Sequence, residues 1–231
     1  MLLRKLIATM AATTLGLIAA QAGAVTFSSA SATFEQSFDA AWTAAKAIDG
    51  DTSSNTGNGW AIFDNTNSTT SSQTALFTLQ SPLAAGAYTL TYTLTQNYGT
   101  NHTLDTFSLA YTTAAGPVLA SLQTLVGIDS AISGNGATMN LPSLGNIDVS
   151  GLNPLTDVYT ITATINAASP LTGLFLNVID NAGAGPGRNA NGNFVLSEFS
   201  VVATPVPEPD QWALILAGLL VVGVVARRRR N

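Results

Sequence analysis

Apolar and polar residues alternate along four stretches in the middle of the chain, at residues 74–79, 88–96, 106–112 and 159–165. In the clearest stretch, Leu90, Tyr92 and Leu94 alternate with threonines. A period of two with β-branched and aromatic residues indicates half-buried β-strands. Residues 174–179 and 194–202 are more continuously apolar, which is typical of strands buried on both faces. The pattern therefore predicts at least six strands.

Glycine, proline and asparagine separate these stretches at residues 82–86, 97–101 and 183–192, as expected of turns and loops. Two segments lack a clear period. Residues 38–48 are alanine-rich and fit either a short helix or a packed loop, and residues 118–128 are apolar and lead into a glycine- and asparagine-rich stretch that reaches residue 151. Many short strands with long loops predict one all-β domain over residues 25–203, an antiparallel β-sandwich or jelly roll.

The first 24 residues have the organisation of a secretory signal peptide. Arg4 and Lys5 precede an apolar stretch at residues 6–20, and Ala22-Gly23-Ala24 supplies a small-residue cleavage site before Val25. An uncleaved anchor or a buried helix are the alternatives. We expect the rest of the chain to be exported through the inner membrane.

Three features follow one another at the C-terminus, in residues 204–231. They are the triplet Pro207-Glu208-Pro209, an apolar run at residues 212–226, and four arginines, Arg227, Arg228, Arg229 and Arg230. As a transmembrane helix the run would extend roughly 22 Å, against ~30 Å for the hydrocarbon core of a bilayer. An ordinary tail anchor explains the apolar run and the arginines but leaves the proline triplet unexplained.

Together these features resemble the PEP-CTERM sorting signal of Gram-negative bacteria. The resemblance implies processing by an exosortase, a membrane-embedded protease-transpeptidase, in a producer of extracellular polysaccharide and biofilm. It predicts a protein anchored in the membrane by this tag and then placed at the cell surface or in the matrix.

Charge and cysteine content exclude several classes of function. The formal net charge is −5, but six of the eight basic residues lie within five residues of either terminus. Residues 25–205 hold two basic and eleven acidic side chains, a net charge of −9. Nucleic-acid binding needs clustered lysine and arginine and is therefore excluded. The absence of cysteine excludes disulfides, thiolate metal sites and cysteine nucleophiles.

Three segments of the domain resemble galactose-binding-like β-sandwiches, the group that includes the discoidin modules. They are residues 47–62, with Asp49-Gly50-Asp51, Thr56 and Trp60, residues 96–109, where Ser108 stands in place of an arginine, and residues 192–199. The resemblance implies a structural Ca²⁺ site formed by Asp49, Asp51, Thr56 and Glu198. Such hard oxygen ligands suit Ca²⁺, although an Asx turn without metal would use the same aspartates.

Carbohydrate binding on such a sandwich needs an exposed aromatic ring beside polar groups. Trp42 and Tyr98 lie near predicted loops and are the candidates, whereas Trp60 begins an apolar stretch and is predicted to be buried. We therefore expect a domain that binds carbohydrate or exopolysaccharide. The alternative is a purely structural biofilm matrix protein without a specific ligand.

The sequence gives little support for catalysis. His102 is the only histidine, it lies in a polar turn, and no nucleophile-elbow sequence is present. Eleven carboxylates could supply a glycosidase pair, but their spacing selects none. We expect a non-enzymatic protein, with a glycan-active enzyme as a distant alternative.

Overall fold

A computed structural model describes residues 21–66, 70–142, 145–181, 183–207, 217–220 and 227. Apart from one 3-10 helix, Ala44–Ile48, the regular structure of the described residues between 21 and 207 is β-strand. The strands are β1 Gly23–Ala24, β2 Phe27–Ala32, β3 Trp60–Ala61, β4 Gln73–Leu83, β5 Gly86–Gln96, β6 Thr106–Thr112, β7 Thr124–Leu125, β8 Ile128–Ser133, β9 Ala137–Asn140, β10 Asn146–Gly151, β11 Asp157–Ala167, β12 Leu171–Ile179, β13 Val195–Leu196 and β14 Glu198–Pro205.

Two antiparallel sheets face each other across one hydrophobic core. The five-stranded sheet has the order β1-β14-β5-β11-β8, and the seven-stranded sheet has the order β2-β4-β12-β6-β10-β9, with β7 also pairing with β6. Phe77 of β4 and Phe199 of β14 stack between the sheets with ring centroids 4.0 Å apart. This arrangement confirms the predicted antiparallel β-sandwich.

The alternating pattern of the five-stranded sheet separates its buried and exposed faces. β5 pairs with β11 over their whole length, so that Thr89, Thr91 and Thr93 lie opposite Thr164, Thr162 and Thr160. The apolar residues between these threonines, among them Leu90 and Tyr92, are buried in the core. Both strands lie where the sequence predicts them.

The continuously apolar strand β12 is central, as predicted, because it pairs with β4 on one side and β6 on the other. Leu174 and Leu176 belong to the core between the sheets. Phe175 faces outward and is buried with Leu76 and Ala110 beneath Leu119. Side chains cover both faces of this strand, which explains the absence of alternation.

Elsewhere the structure adds to the sequence-based picture. The glycine- and asparagine-rich stretch up to residue 151 forms β8, β9 and β10, which the sequence did not predict. The predicted strand at residues 194–202 is two strands, because β13 pairs with β3 and β14 pairs with β5. Ser197 lies between them and donates its N–H to the Thr95 carbonyl. Of the two alternatives for residues 38–48, the end of the segment is helical and its beginning is a loop.

The termini of the sandwich lie side by side. β1 pairs with β14, and the Val25 N–H donates to the Val201 carbonyl at 2.8 Å. Residues 1–20 of the predicted signal peptide lie outside the described residues. Its predicted cleavage site, before Val25, directly follows β1.

Most of the predicted span at residues 212–226 also lies outside the described residues, where only residues 217–220 are assigned, as helical. Among the residues that the structure describes, no helix is long and apolar enough to cross a membrane.

Candidate functional site

Two cavities lie side by side at the end of the sandwich where β5 ends and β6 and β11 begin. The first, which we call the aromatic pocket, has a volume of about 230 Å³. Its open walls are formed by aromatic and polar side chains: Phe38, Asp39, Phe63, Tyr98, Thr100, His102 and Asn191. Loops supply all of these residues, and the strands that precede and follow the loops hold them in place.

Aromatic rings determine the shape of this pocket. Phe38 is 51% exposed and meets Phe63 edge-on, with ring centroids 5.9 Å apart. Tyr98 is half-buried, and its ring contacts Trp42 at 4.9 Å and His102 at 5.2 Å, both edge-on. The predicted role of Tyr98 is therefore compatible with its position, because the ring lies in a cavity wall.

Trp42 does not offer an exposed ring, contrary to the expectation from sequence. It is 1% exposed, and its indole N–H donates to Asp39 Oδ1 at 2.9 Å. Desolvation opposes the ionisation of Asp39, but hydrogen bonds from Gln36 and Trp42 outweigh it and keep the pKa of Asp39 below its usual value. Trp42 thus packs beneath Tyr98 as a support. Trp60 is buried in the core, as predicted.

The position of His102 fixes the tautomer of its ring. Nδ1 lies 3.0 Å from the Gly99 carbonyl oxygen and 2.7 Å from Thr100 Oγ1. A carbonyl only accepts, so Nδ1 carries the proton and Nε2 is left as an acceptor. Burial lowers the pKa of His102, although the Gly99 hydrogen bond opposes this shift. The imidazole is therefore a neutral acceptor in the pocket wall.

The turn that carries His102 has an unusual backbone that other loops hold in place. Thr100 and Asn101 adopt φ angles of 52° and 61°, which is rare for residues other than glycine and costs free energy. The Asn101 amide donates to the carbonyls of Asn153 at 2.6 Å and Pro154 at 3.0 Å. The Asn189 amide donates to the Thr100 carbonyl at 2.6 Å. These bonds offset the strain and fix the turn.

The second cavity, the polar trough, has a volume of about 770 Å³. Its polar lining consists of Thr70, Asp105, Asn153, Asp180, Arg188, Asn189 and Asn191. Arg188 donates from Nη1 to the Leu152 carbonyl at 2.7 Å and from Nη2 to the Gly151 carbonyl at 2.9 Å. The guanidinium therefore braces a neighbouring loop.

Glycines allow the wall of the trough to pack closely. A Cβ on Gly187 would overlap the carbonyl group of Asn193. The Gly187 N–H donates to the Gly192 carbonyl at 2.8 Å, so the segment folds back on itself. The glycine-rich stretch at residues 183–192 serves this close approach.

The acidic loop, residues 49–56, lies beside Glu198, as the resemblance implies. Asp49 Oδ1 accepts from the Asp51 N–H at 2.9 Å, and Asp51 Oδ1 accepts from the Ser53 N–H at 2.8 Å. These are the Asx-type contacts of the alternative without metal. Glu198 Oε2 accepts from the Gly50 N–H at 3.1 Å.

The structure therefore brings Glu198 to the acidic loop, beside Asp49 and Asp51. Thr56 is exposed and makes no hydrogen bond with its side chain in the described structure. Across the described ranges, no group of three or more acidic or histidine residues is arranged to hold a metal ion. Burial raises the pKa of Glu198 to about 7, the Gly50 hydrogen bond opposes this, and the charges of Asp49 and Asp51 add to it.

The last strand of the sandwich, β14, leads directly into the C-terminal tail. The Val206 N–H donates to the Ala87 carbonyl at 2.9 Å and continues the pairing of β14 beyond Pro205. Residues 205–230 match the PEP-CTERM protein-sorting motif. The predicted resemblance of the tail is thus confirmed, and the PEP-CTERM motif implies export and processing by an exosortase. Pro207 is the last described residue before Glu208, Pro209 and the arginines, of which only Arg227 is described.

Solved structures similar to the chain include two carbohydrate-binding modules. The family 32 module of C. perfringens NanJ, in complex with galactose, is 17% identical, with a TM-score of 0.42 over 79% of this chain and 99% of that chain. A second family 32 module, from a GH31 protein and bound to GalNAc, is 13% identical, with a TM-score of 0.38 over 74% of this chain and 95% of that chain. No curated protein matches the chain significantly.

Sequence reasoning missed most of the pocket. Phe38 and Phe63 stand in irregular segments, and their edge-on contact joins residues that no periodic pattern relates. The sequence places His102 in a polar turn without assigning it a role, and the structure places it in the pocket wall. The PEP-CTERM motif was found because its three features are contiguous in the sequence.

Proposed function

We propose that this exported protein binds carbohydrate in its aromatic pocket, without catalysis, through a β-sandwich that its PEP-CTERM motif directs to the cell surface or extracellular matrix of a Gram-negative bacterium. The observation that carries the proposal is the pocket itself. Exposed Phe38, with Phe63 and Tyr98, gives apolar surface for the C–H faces of a sugar ring, and polar groups stand beside it.

The polar groups suit sugar hydroxyls. His102 Nε2 accepts a hydrogen bond, the Asp39 carboxylate accepts others, and the Asn191 amide can both donate and accept. These groups lie on a turn and loops that hydrogen bonds already fix, which lowers the entropic cost of binding.

The chemistry of the pocket favours binding over hydrolysis. Asp39 is its only carboxyl group in the described lining, and its pKa is held below the usual value. A glycosidase needs a second carboxyl group, with one of the two retaining its proton near neutral pH. Extracellular polysaccharide is the ligand class that agrees with the exported location.

Binding can be tested by affinity electrophoresis against the polysaccharide of the producing strain. We expect saturable binding that Phe38→Ala and Tyr98→Ala each weaken by at least about tenfold, corresponding to ~1.4 kcal/mol. Leu122→Ala, which removes an exposed apolar side chain outside both cavities, is the matched control. Unchanged binding by both pocket variants would contradict the proposal. A lack of saturable binding by the wild-type protein would favour a purely structural matrix protein.

We also propose that the acidic loop takes up a structural Ca²⁺. Its carboxylate, hydroxyl and carbonyl oxygens are ligands that Ca²⁺ accepts, with Asp49, Asp51, Thr56 and Glu198 as the side chains. The position of Glu198 beside Asp49 and Asp51 supports the proposal, because a cation bound there would offset the repulsion between the carboxylates. Bound Ca²⁺ would reorganise the hydrogen bonds of the loop and stabilise a domain that has no disulfide.

Thermal unfolding in Ca²⁺ and in chelator tests this second proposal. We expect Ca²⁺ at 100 times its dissociation constant to stabilise the fold by about 2.7 kcal/mol, visible as a higher Tm. Glu198→Gln should abolish the shift, while Asp129→Asn, on the far sheet edge, should preserve it. An equal Tm of the wild-type protein in Ca²⁺ and in chelator would contradict the proposed Ca²⁺ site.

A further inference from the structure

The aromatic pocket and the polar trough are neighbours with a shared wall. Asn191 lines both cavities, so a ligand seated in the pocket meets the trough at this residue. Established small-molecule sites have volumes of about 300–1,000 Å³. The pocket, with about 230 Å³, lies just below that range, and the trough, with about 770 Å³, lies within it.

Hydrogen bonds between loops make the two cavities one rigid unit. Asn101, in the turn that carries His102, donates to the carbonyls of Asn153 and Pro154. Asn153 lines the trough and donates to the Arg188 carbonyl at 2.9 Å. Asn189, also of the trough, donates back to Thr100 of the pocket. The relative position of the cavities is therefore fixed before a ligand arrives.

The described lining of the trough is negative, because Asp105 and Asp180 outnumber its one basic residue, Arg188. Asp180 uses Oδ1 to accept from the Gly185 N–H, and its Oδ2 has no hydrogen-bond partner in the described structure. The Asp105 carboxylate accepts no hydrogen bond there, and burial, with the nearby charge of Asp148, raises its pKa against the opposing effect of Arg188.

Arg188 is the only basic residue in the described lining, and two backbone carbonyls already engage its guanidinium. These bonds use two of its five N–H groups, and its single positive charge offsets only one of the two carboxylates in the lining. An anionic sugar would therefore meet two carboxylates and one guanidinium, a lining with a net charge of −1 that disfavours it.

We propose that pocket and trough form one groove for an oligosaccharide chain, and that the trough selects a sugar unit bearing a protonated amine over one bearing a carboxylate. This inference rests on the proposed function, since the pocket holds the first sugar unit. An ammonium group in the trough would form charge-assisted hydrogen bonds with Asp105 and Asp180. The ligand class is then a partly deacetylated amino-sugar polymer rather than a single terminal sugar.

Calorimetric titration of the full chain tests the groove with glucosamine, the glucosamine hexamer and the galacturonic acid hexamer. We expect the glucosamine hexamer to bind at least about tenfold more tightly than the monomer and than the anionic hexamer. Asp180→Asn keeps the Oδ1 acceptor for Gly185 and should remove most of the gain with chain length. Asp105→Asn should act in the same direction.

The control Asp129→Asn removes the same charge from β8, outside both cavities, and should leave the gain intact. Equal affinity for monomer and hexamer, no binding of the glucosamine hexamer, or equal binding of the anionic hexamer would each overturn the inference. Loss of the gain in the Asp129→Asn control would also overturn it, because general attraction to an acidic domain would then explain the preference. Host-polysaccharide binding that still depends on Tyr98 would leave the proposed function standing in all of these cases.

Discussion

His102 shows how a single residue can gain a defined chemical state from its backbone environment. The Gly99 carbonyl holds the proton on Nδ1, and burial disfavours the charged ring. Asp39 is the carboxylate in the same pocket lining, and its lowered pKa keeps it ionised at neutral pH. The neutral imidazole therefore keeps Nε2 as an acceptor, the role that the proposed carbohydrate site assigns to it.

This state predicts a pH dependence. The pKa of His102 in the folded protein lies below its ordinary value of 6.5, so its contribution to stability is complete above pH 6.5 and is lost as pH falls through the lowered pKa. Protonation would also convert Nε2 from an acceptor into a donor. We expect weaker polysaccharide binding at about pH 5 than at about pH 8, and His102→Gln should flatten this difference. A profile unchanged by the substitution would assign the pH effect to other groups.

Among the elements, the glycine-rich loop of the trough depends most on the absence of side chains. Gly187→Ala would place a Cβ against the Asn193 backbone, and we expect a loss of about 1–3 kcal/mol in the free energy of unfolding. Gly127→Ala is the control, since a Cβ there meets nothing within 4 Å and no left-handed backbone opposes it. Urea denaturation measures both. Equal effects of the two substitutions would show that the close packing at residue 187 contributes nothing.

The strands with alternating or continuous apolar patterns could be predicted because each pattern reports local burial. β5 and β11 alternate across one core, and β12 is covered on both faces. β8, β9 and β10 could not be found in this way. β8 and β9 lie at sheet edges, where Ile132 is exposed and Met139 is only half-buried, so burial leaves a weak periodic signal. β10 does alternate, with Ile147 and Val149 buried, but only over a few residues.

The candidate site could be predicted only in part, and the reason differs from that for the strands. Tyr98 was identified from its loop position, but Trp42 has a similar loop position and is buried, because Asp39 accepts its indole N–H and Tyr98 covers it. Phe38, Phe63 and Asn191 come together from distant loops. Contacts between irregular segments depend on the whole fold, and a single sequence contains no local record of them.

At the scale of the whole molecule, the net charge divides into an acidic domain and two basic ends. The domain, with a net charge of −9, holds both proposed ligand sites, and the basic residues of the ends belong to the predicted signal peptide and the PEP-CTERM motif. An acidic domain at a bacterial surface would attract cationic sugars and Ca²⁺ alike. Both proposals thus draw on the same property of the chain.

The positions at which the sandwich begins and ends lead to a prediction about the mature protein. Strand pairing continues through Val206, and the matched motif begins at residue 205, so cleavage after the proline triplet would leave the sandwich intact. At the other end, cleavage before Val25 would remove β1 but keep the Val25–Val201 hydrogen bond. We therefore expect intact-mass spectrometry of the protein from its host to show a chain that begins at Val25 and lacks residues 212–231. Surface protein that retains residues 204–231 would contradict processing by an exosortase.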